Sequence, residues 1–95
     1  MQFSKQPSEE TTRAVDFVNI AEIVNGETIA TAVVTITDGG IAVPDMLVSS
    51  IVEGTKVMFR VKDGVDCQTY KITVLITTSV GHKREADIIM VVAEL

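Results

Sequence analysis

A strict two-residue alternation of apolar and polar side chains constrains this chain more than any other feature. In the stretch TYKITVLIT, the apolar side chains of Tyr70, Ile72, Val74 and Ile76 share one parity, and the residues between them are mostly Lys and Thr. Successive residues of a β-strand point to opposite faces of a sheet. The period of two therefore predicts a strand with one buried face and one face in water.

Similar runs of strand length recur along the chain, separated by turns that contain Gly, Pro, Asn or Asp. They span 14–24, 28–37, 46–52, 56–62, 68–78 and 84–93, and a short piece near Phe3 adds another. Apolar residues form 46% of the 95 residues and Trp is absent, so the expected core is aliphatic. We predict one domain over 1–95, an all-β sandwich of about seven antiparallel strands, with residues 1–13 as a candidate N-terminal arm.

A tyrosine that opens a strand indicates the type of sandwich. In VKDGVDCQTYKITV, a turn at Gly64 precedes Tyr70. Sandwiches of the immunoglobulin and fibronectin type III kind bury such a ring and bond its hydroxyl back to the preceding turn. We therefore predict this type, with Tyr70 and Gly64 in structural roles. The alternative for Tyr70 is a partly exposed strand tyrosine.

Charge and cysteine content exclude several classes of function. The formal charge of −5 disfavours a nucleic acid partner, which requires clustered Lys and Arg. The lone Cys67 has no companions for a zinc site or an internal disulfide, and is expected to be a packing residue or an inert surface thiol. The first ten residues lack the apolar run of a signal peptide, and no segment has the length of a membrane helix, so no membrane insertion is predicted.

The only histidine lies in SVGHKRE, between the last two apolar runs. Its neighbours Gly81, Lys83 and Arg84 do not orient an imidazole for general base catalysis. We therefore predict that SVGHKRE is a β-hairpin connection in which Gly81 supplies an unusual φ. The acidic residues are scattered over separate loops, and no motif for a metal, a phosphate or a catalytic serine is present. We predict no enzyme activity and no cofactor.

The last run, ADIIMVVA, is apolar on both parities. One parity can fill a sandwich core, which places Ile89 and Val91 on an outer face where alternation predicts polar groups. The run ETIATAVVTI behaves similarly, with Ile29 and Val33 opposite the other apolar residues. Either loops or the N-terminal arm cover this outer face, or the face meets another subunit.

Three stretches resemble a family of small structural proteins of tailed bacteriophages and prophages, the fiber-tail adaptor type. They are FSKQPSEETTRAVDFVNIAE, NGETIATAVVTI and YKITVLITTSVGHKREADIIMVV. The second is similar to a Gly-acidic-Thr-Ile-Ala stretch of the family, and the third to its Tyr-opened strand and Thr-Thr-Ser-x-Gly-Arg turn. Asn19-Ile20 stands where the family usually has Asp-Trp, and His82 follows Gly81 where the family has Arg.

The resemblance implies an immunoglobulin-like domain with a non-enzymatic role in a virion. It implies assembly in the bacterial host cytoplasm and contacts with other phage structural proteins or with copies of itself. Physical reasoning suggests that an acidic partner would meet His82, Lys83 and Arg84, and that Ile89 and Val91 would form an apolar contact. The alternative is a module that binds carbohydrate or a cell surface. Such a module usually stacks sugar rings on exposed aromatic residues, and this chain has no Trp.

Overall fold

The computed structural model of the chain describes residues 2–17 and 28–93. Strands make up most of this part of the chain, and a single 3-10 turn, Pro44–Met46, interrupts them. No helix among these residues has the length and apolarity needed to cross a membrane. The strands are β1 (Gln2–Lys5), β2 (Thr11–Asp16), β3 (Ile29–Asp38), β4 (Ile41–Ala42), β5 (Leu47–Glu53), β6 (Lys56–Val61), β7 (Gln68–Thr78) and β8 (Lys83–Val92).

The strands form two sheets. The larger sheet has the order β1-β8-β7-β3-β4, and the smaller has the order β2-β6-β5. All neighbouring pairs are antiparallel except β1 and β8, which run parallel with Gln2 opposite Ile89. The all-β sandwich expected from the sequence is confirmed, with eight strands in the described residues and one parallel pair. The immunoglobulin or fibronectin type III assignment stays a prediction, as does the single domain over 1–95.

The core lies between the two sheets and follows the predicted alternation. Tyr70, Ile72, Val74 and Ile76 of β7 are all buried, and alternate residues are likewise buried in its neighbour β8 and in β6 of the smaller sheet. The buried apolar residues of those two strands are Val57, Phe59, Val61, Ala86, Ile88, Met90 and Val92. Mostly aliphatic side chains of both sheets therefore exclude water from one interior.

A β-bulge changes the faces of β3. The register against β7 shifts between Ile29 and Thr31 and is regular from there to Thr37. The extra residue lets Ile29 and Ile36 both point into the core, although their parities differ. The expectation that Ile29 and Val33 share a face is therefore wrong, because Ile29 is buried and Val33 is 60% exposed.

The N-terminal residues enter both sheets. Residues 2–5 form β1 beside β8, and residues 11–13 begin β2 at an edge of the smaller sheet. These residues belong to the segment that the sequence suggested as an N-terminal arm. The apolar run predicted over 14–24 overlaps β2 only as far as Asp16, and its residues 18–24 lie outside the described residues.

The connection between β7 and β8 is a hairpin. Thr77 lies opposite Lys83, and the Thr78 amide donates a hydrogen bond of 2.7 Å to the carbonyl oxygen of His82. Gly81 has a φ of +90°, a conformation that residues with a side chain rarely adopt. Residues 79–82 of SVGHKRE thus form the strand connection, Lys83 to Glu85 begin β8, and Gly81 accommodates the backbone of the turn.

Tyr70 ties the loop between β6 and β7 to the core. Its side chain is 3% exposed, and its hydroxyl accepts a hydrogen bond of 2.9 Å from the Val65 amide. This contact has the form of a tyrosine corner. Gly64 in the same loop has a φ of +106°, and a Cβ placed on it would lie 2.8 Å from Cγ2 of Val92. Both residues hold this loop against the end of β8.

We predict that Gly64→Ala destabilises the protein more than Gly81→Ala. Both glycines have positive φ, so each substitution introduces backbone strain of about 1 kcal/mol. At Gly64 the new methyl group also collides with Val92, whereas nothing lies within 4 Å of a Cβ at Gly81. We expect an extra loss of about 1–3 kcal/mol at Gly64, measured by urea unfolding. Equal decreases in the free energy of unfolding for the two variants would show that the collision with Val92 does not destabilise the protein.

We also predict that Tyr70→Phe lowers the free energy of unfolding by about 1 kcal/mol, because the Val65 amide loses its acceptor. For a domain of this size the change corresponds to about 4–8 °C in Tm. Hydrogen exchange at the Val65 amide should accelerate. Exchange of the β3 amides should accelerate only by the amount that the lower free energy of unfolding predicts. An unchanged rate at Val65 would contradict the role assigned to the hydroxyl.

Candidate interaction surface

The outer face of the larger sheet carries an exposed apolar pair. Val33 of β3 lies directly opposite Leu75 of β7, and the two side chains are 60% and 38% exposed. Threonines flank the pair on both strands, with Thr31 opposite Thr77 and Thr35 opposite Thr73. We call Val33 and Leu75 the outer apolar pair. Its exposure between these threonines makes it a candidate contact surface.

The apolar pattern of ETIATAVVTI predicted Val33 on an outer face, whereas Leu75 was not predicted as a contact residue. A signal for Leu75 was present, because it is the one apolar residue on the Lys- and Thr-rich parity of TYKITVLIT. The prediction placed Ile29 on the same face as Val33, and the bulge after Ile29 prevents this because it changes the parity of the buried residues within one strand.

The basic residues His82, Lys83 and Arg84 lie at the end of the β7–β8 hairpin. His82 and Lys83 are exposed, and Arg84 is half-buried. The hydroxyl of Thr78 accepts a hydrogen bond of 3.1 Å from the His82 amide, which fixes the backbone of the connection. This basic hairpin, as we call the three residues, places positive charge at one end of an acidic protein.

Ile89 and Val91 lie near the other end of β8. Both are half-buried, and β1 runs alongside them with Gln2 opposite Ile89 and Ser4 opposite Val91. Ile89 is six residues from Lys83 along the strand, a separation of about 20 Å. The structure therefore does not bring Ile89 and Val91 into one site with the basic hairpin.

A shallow depression lies at the Ile89 end of the outer face. The Lys71 ammonium is 3.6 Å from the Asp87 carboxylate, which also accepts a hydrogen bond of 2.9 Å from Thr73. Lys71 lies opposite Ile89, so the depression has a charged and an apolar side chain next to each other in its lining. Its lining residues are Thr37, Gly39, Gly40, Thr69, Tyr70, Lys71 and Ile89.

Metal-binding chemistry has no candidate centre in the described ranges 2–17 and 28–93. No group of three or more His, Cys, Asp or Glu side chains in them could hold a metal ion. Cys67 is a free, exposed thiol, which corresponds to the surface alternative rather than to a packing residue.

Lys5 is a buried cation that organises the connection between β1 and β2. Lys5 is only 3% exposed. Its Nζ donates hydrogen bonds to the carbonyl oxygens of Gln6 at 2.8 Å and Glu9 at 2.9 Å. Burial lowers the pKa of Lys5 below the ordinary value of 10.5, and the negative charges of Glu9 and Asp63 partly oppose this. The ammonium thus replaces water as the donor to these carbonyls.

Comparison with known proteins identifies the family. The family described as "Podophage GP4 fiber-tail adaptor protein gp77" matches residues 5–91, which is most of the chain. The chain belongs to this fiber-tail adaptor family. No curated protein matches the chain.

Membership confirms the resemblance seen in the sequence and assigns the adaptor to phage virions. The matched range begins at Lys5 and ends at Val91, so it includes the outer apolar pair, the basic hairpin and the depression. A structural role in tail assembly follows for this fiber-tail adaptor, and that role is not catalytic.

We predict a pH-dependent stability difference between the wild-type adaptor and Lys5→Met. A lysine whose pKa is lowered by folding is harder to protonate in the folded state than in the unfolded state. Its contribution to stability is therefore present above pH 10.5 and is lost as the pH falls through the lowered pKa. Raising the pH from 8 to 10.5 should therefore stabilise the wild type relative to Lys5→Met, by at most about 1.4 kcal/mol per pH unit.

Urea unfolding of both proteins at several pH values measures this difference, since all other titrating groups are common to the two. A Lys5→Arg variant serves as a control, because a guanidinium stays charged across this range. A difference that shrinks with rising pH would contradict the assigned direction.

Proposed function

We propose that this chain is a non-enzymatic module that joins parts of a phage tail, neck or fiber assembly through protein contacts. The observation that carries the proposal is the match of residues 5–91 to the fiber-tail adaptor family. A rigid sandwich suits this role, because its sheets hold exposed side chains at fixed spacings with little loss of entropy on binding. Assembly would take place in the cytoplasm of the bacterial host, before the module becomes part of the virion.

The basic hairpin is the proposed contact for an acidic partner. Lys83 is exposed at the hairpin end of β8, beside a connection whose backbone is fixed by Thr78, so its charge faces solvent. A charge in this position accelerates the encounter with an oppositely charged surface. The net charge of −5 makes nucleic acid an unfavourable partner.

Apolar contacts are proposed on the outer face of the larger sheet. Ile89 is half-buried and lines the depression beside Lys71, and Val91 follows two residues later on the same face. A partner side chain placed in the depression would cover Ile89 and lie beside Lys71. Other phage structural proteins and further copies of this chain are the proposed partners.

The geometry does not favour the carbohydrate-binding alternative. Sugar rings stack on exposed aromatic faces. All four aromatic residues lie within the described ranges; Phe17, Phe59 and Tyr70 are buried. The remaining one, Phe3, is half-buried with the Arg13 guanidinium 5.0 Å above its ring.

The adaptor should bind at least one tail, neck or fiber protein of the phage that encodes it, in pairwise measurements with purified proteins. We predict that Lys83→Glu slows association with an acidic partner about 3- to 10-fold at low salt, and that the effect diminishes at high salt. Lys62→Glu makes the same charge change beyond the end of β6, on another part of the surface, and should change the rate less.

Biolayer interferometry at several salt concentrations gives the association rates. Failure to bind any of these virion proteins would refute the proposed function. Binding without sensitivity to Lys83→Glu would retain the adaptor role and exclude the basic hairpin as the contact.

A further inference from the structure

One long edge of the larger sheet has almost no neighbouring strand. β4 pairs with β3 only at Thr37 and Asp38, and β7 occupies the other side of β3. The regular part of β3 that precedes these residues, Thr31–Thr35, therefore borders no further strand among the described residues. We call this segment the β3 edge.

The direction of the backbone groups along the β3 edge follows from one hydrogen bond. The carbonyl oxygen of Ile36 accepts a bond of 2.9 Å from the Val43 amide, so the backbone of Ile36 points away from β7. The N–H and C=O groups of an antiparallel strand alternate in direction from residue to residue. Val34 and Ala32, two and four residues earlier, therefore direct their N–H and C=O groups to the open side.

The β3 edge lacks the usual devices that prevent pairing with another chain. Exposed edges are ordinarily protected by charges, prolines, bulges or short length. Of the other edges, β1 and β4 are short, β2 carries Arg13 and Asp16, and β5 has a bulge after Leu47 and ends in Glu53. The β3 edge is regular and carries neither a charge nor a proline.

The sequence of the β3 edge is nearly symmetric about its centre. It reads Thr-Ala-Val-Val-Thr, so Val33 has a small apolar residue on each side and a threonine beyond each of these. An antiparallel pair related by a two-fold axis places residue 33 of one copy opposite residue 33 of the other, and residue 32 opposite residue 34. We infer that two copies of this chain join through their β3 edges in this two-fold antiparallel register.

This register satisfies the open backbone groups. Ala32 and Val34 of opposite copies face each other, and each such pair exchanges two hydrogen bonds. Thr31 faces Thr35 of the second copy, a favourable cross-strand combination. The two Val33 residues occupy a position without hydrogen bonds, where side chains of neighbouring strands approach most closely.

The same register extends the outer apolar pair across the axis. Leu75 lies beside Val33 in each copy, so the paired strands place Leu75, Val33, Val33 and Leu75 in one row on the outer face. The exposed fractions of 60% and 38% for these residues both decrease when the second copy is added. The outer apolar pair and the β3 edge therefore form one self-complementary surface.

The contact is weak in free solution, because an edge of five residues buries much less than the roughly 1,600 Å² of a typical stable complex. It becomes effective when copies are held together in a particle at high local concentration. The inference does not depend on which virion protein the chain meets, and its tests use the purified chain alone. Their failure would leave the adaptor role of the proposed function intact.

Sedimentation equilibrium up to about 1 mM protein tests the association. We expect a concentration-dependent dimer that Val33→Lys weakens at least 10-fold, because two like charges then face each other. Ile51→Lys is the matched control, since Ile51 is 58% exposed and lies within the edge strand β5 of the smaller sheet. A dimer weakened by Ile51→Lys and not by Val33→Lys would overturn the inference.

Charge complementation tests the two-fold register itself. Val33→Lys and Val33→Glu should each be monomeric, and their equimolar mixture should form a heterodimer that high salt weakens. This rescue requires residue 33 to face its own equivalent in the second copy. A mixture as monomeric as its components would overturn the register, provided that circular dichroism shows both variants to be folded.

Disulfide trapping gives a second readout, in a Cys67→Ser background. Positions without hydrogen bonds have Cα atoms about 4.5 Å apart, within reach of a disulfide. Val33→Cys should therefore crosslink in glutathione buffer much faster than Thr35→Cys, whose equivalent lies about four residues away along the paired strands. Equal rates for the two variants, or no crosslinking of either, would overturn the inference.

Discussion

The structure depends on the burial of alternate side chains of β7 between the two sheets. β7 has β8 on one side and β3 on the other, so its register determines where the side chains of three strands point. A slip of one residue would turn Ile72, Val74 and Ile76 into water and bring Lys71 into the core. The loop before β7, the hairpin after it and the outer face of the sheet all take their positions from this strand.

The predictable part of the fold is the part in which burial alternates without interruption. β6, β7 and β8 could be derived from the sequence because each keeps one buried parity over its length. β3 was only partly predictable, since a bulge adds one residue and reverses the parity without a distinct residue signal. β2 was predicted too late along the chain because Val15 is the only fully buried side chain in this edge strand.

The candidate contact surface was harder to derive than the core. Tyr70 could be recognised because its role depends on nearby residues, a turn followed by an alternating strand. The open side of β3 depends instead on its place close to the border of the sheet, which is a property of the whole strand order. Local patterns report which side chains face each other across the core. They do not report which strand lacks a neighbour. The role in a phage tail comes from the family match, because neither the core pattern nor the strand order indicates it.

The parallel pairing of β1 with β8 has a mechanical consequence. Gln2 lies opposite Ile89 and Lys5 opposite Val92, so the two strands point the same way. Tension applied at Gln2 and at Val92 in opposite directions would slide one strand along the other. Every hydrogen bond of the pair would then bear the load together, whereas an antiparallel hairpin pulled at its open end breaks one bond after another. Stretching the domain along this line would therefore require all hydrogen bonds of the β1–β8 pair to break at once.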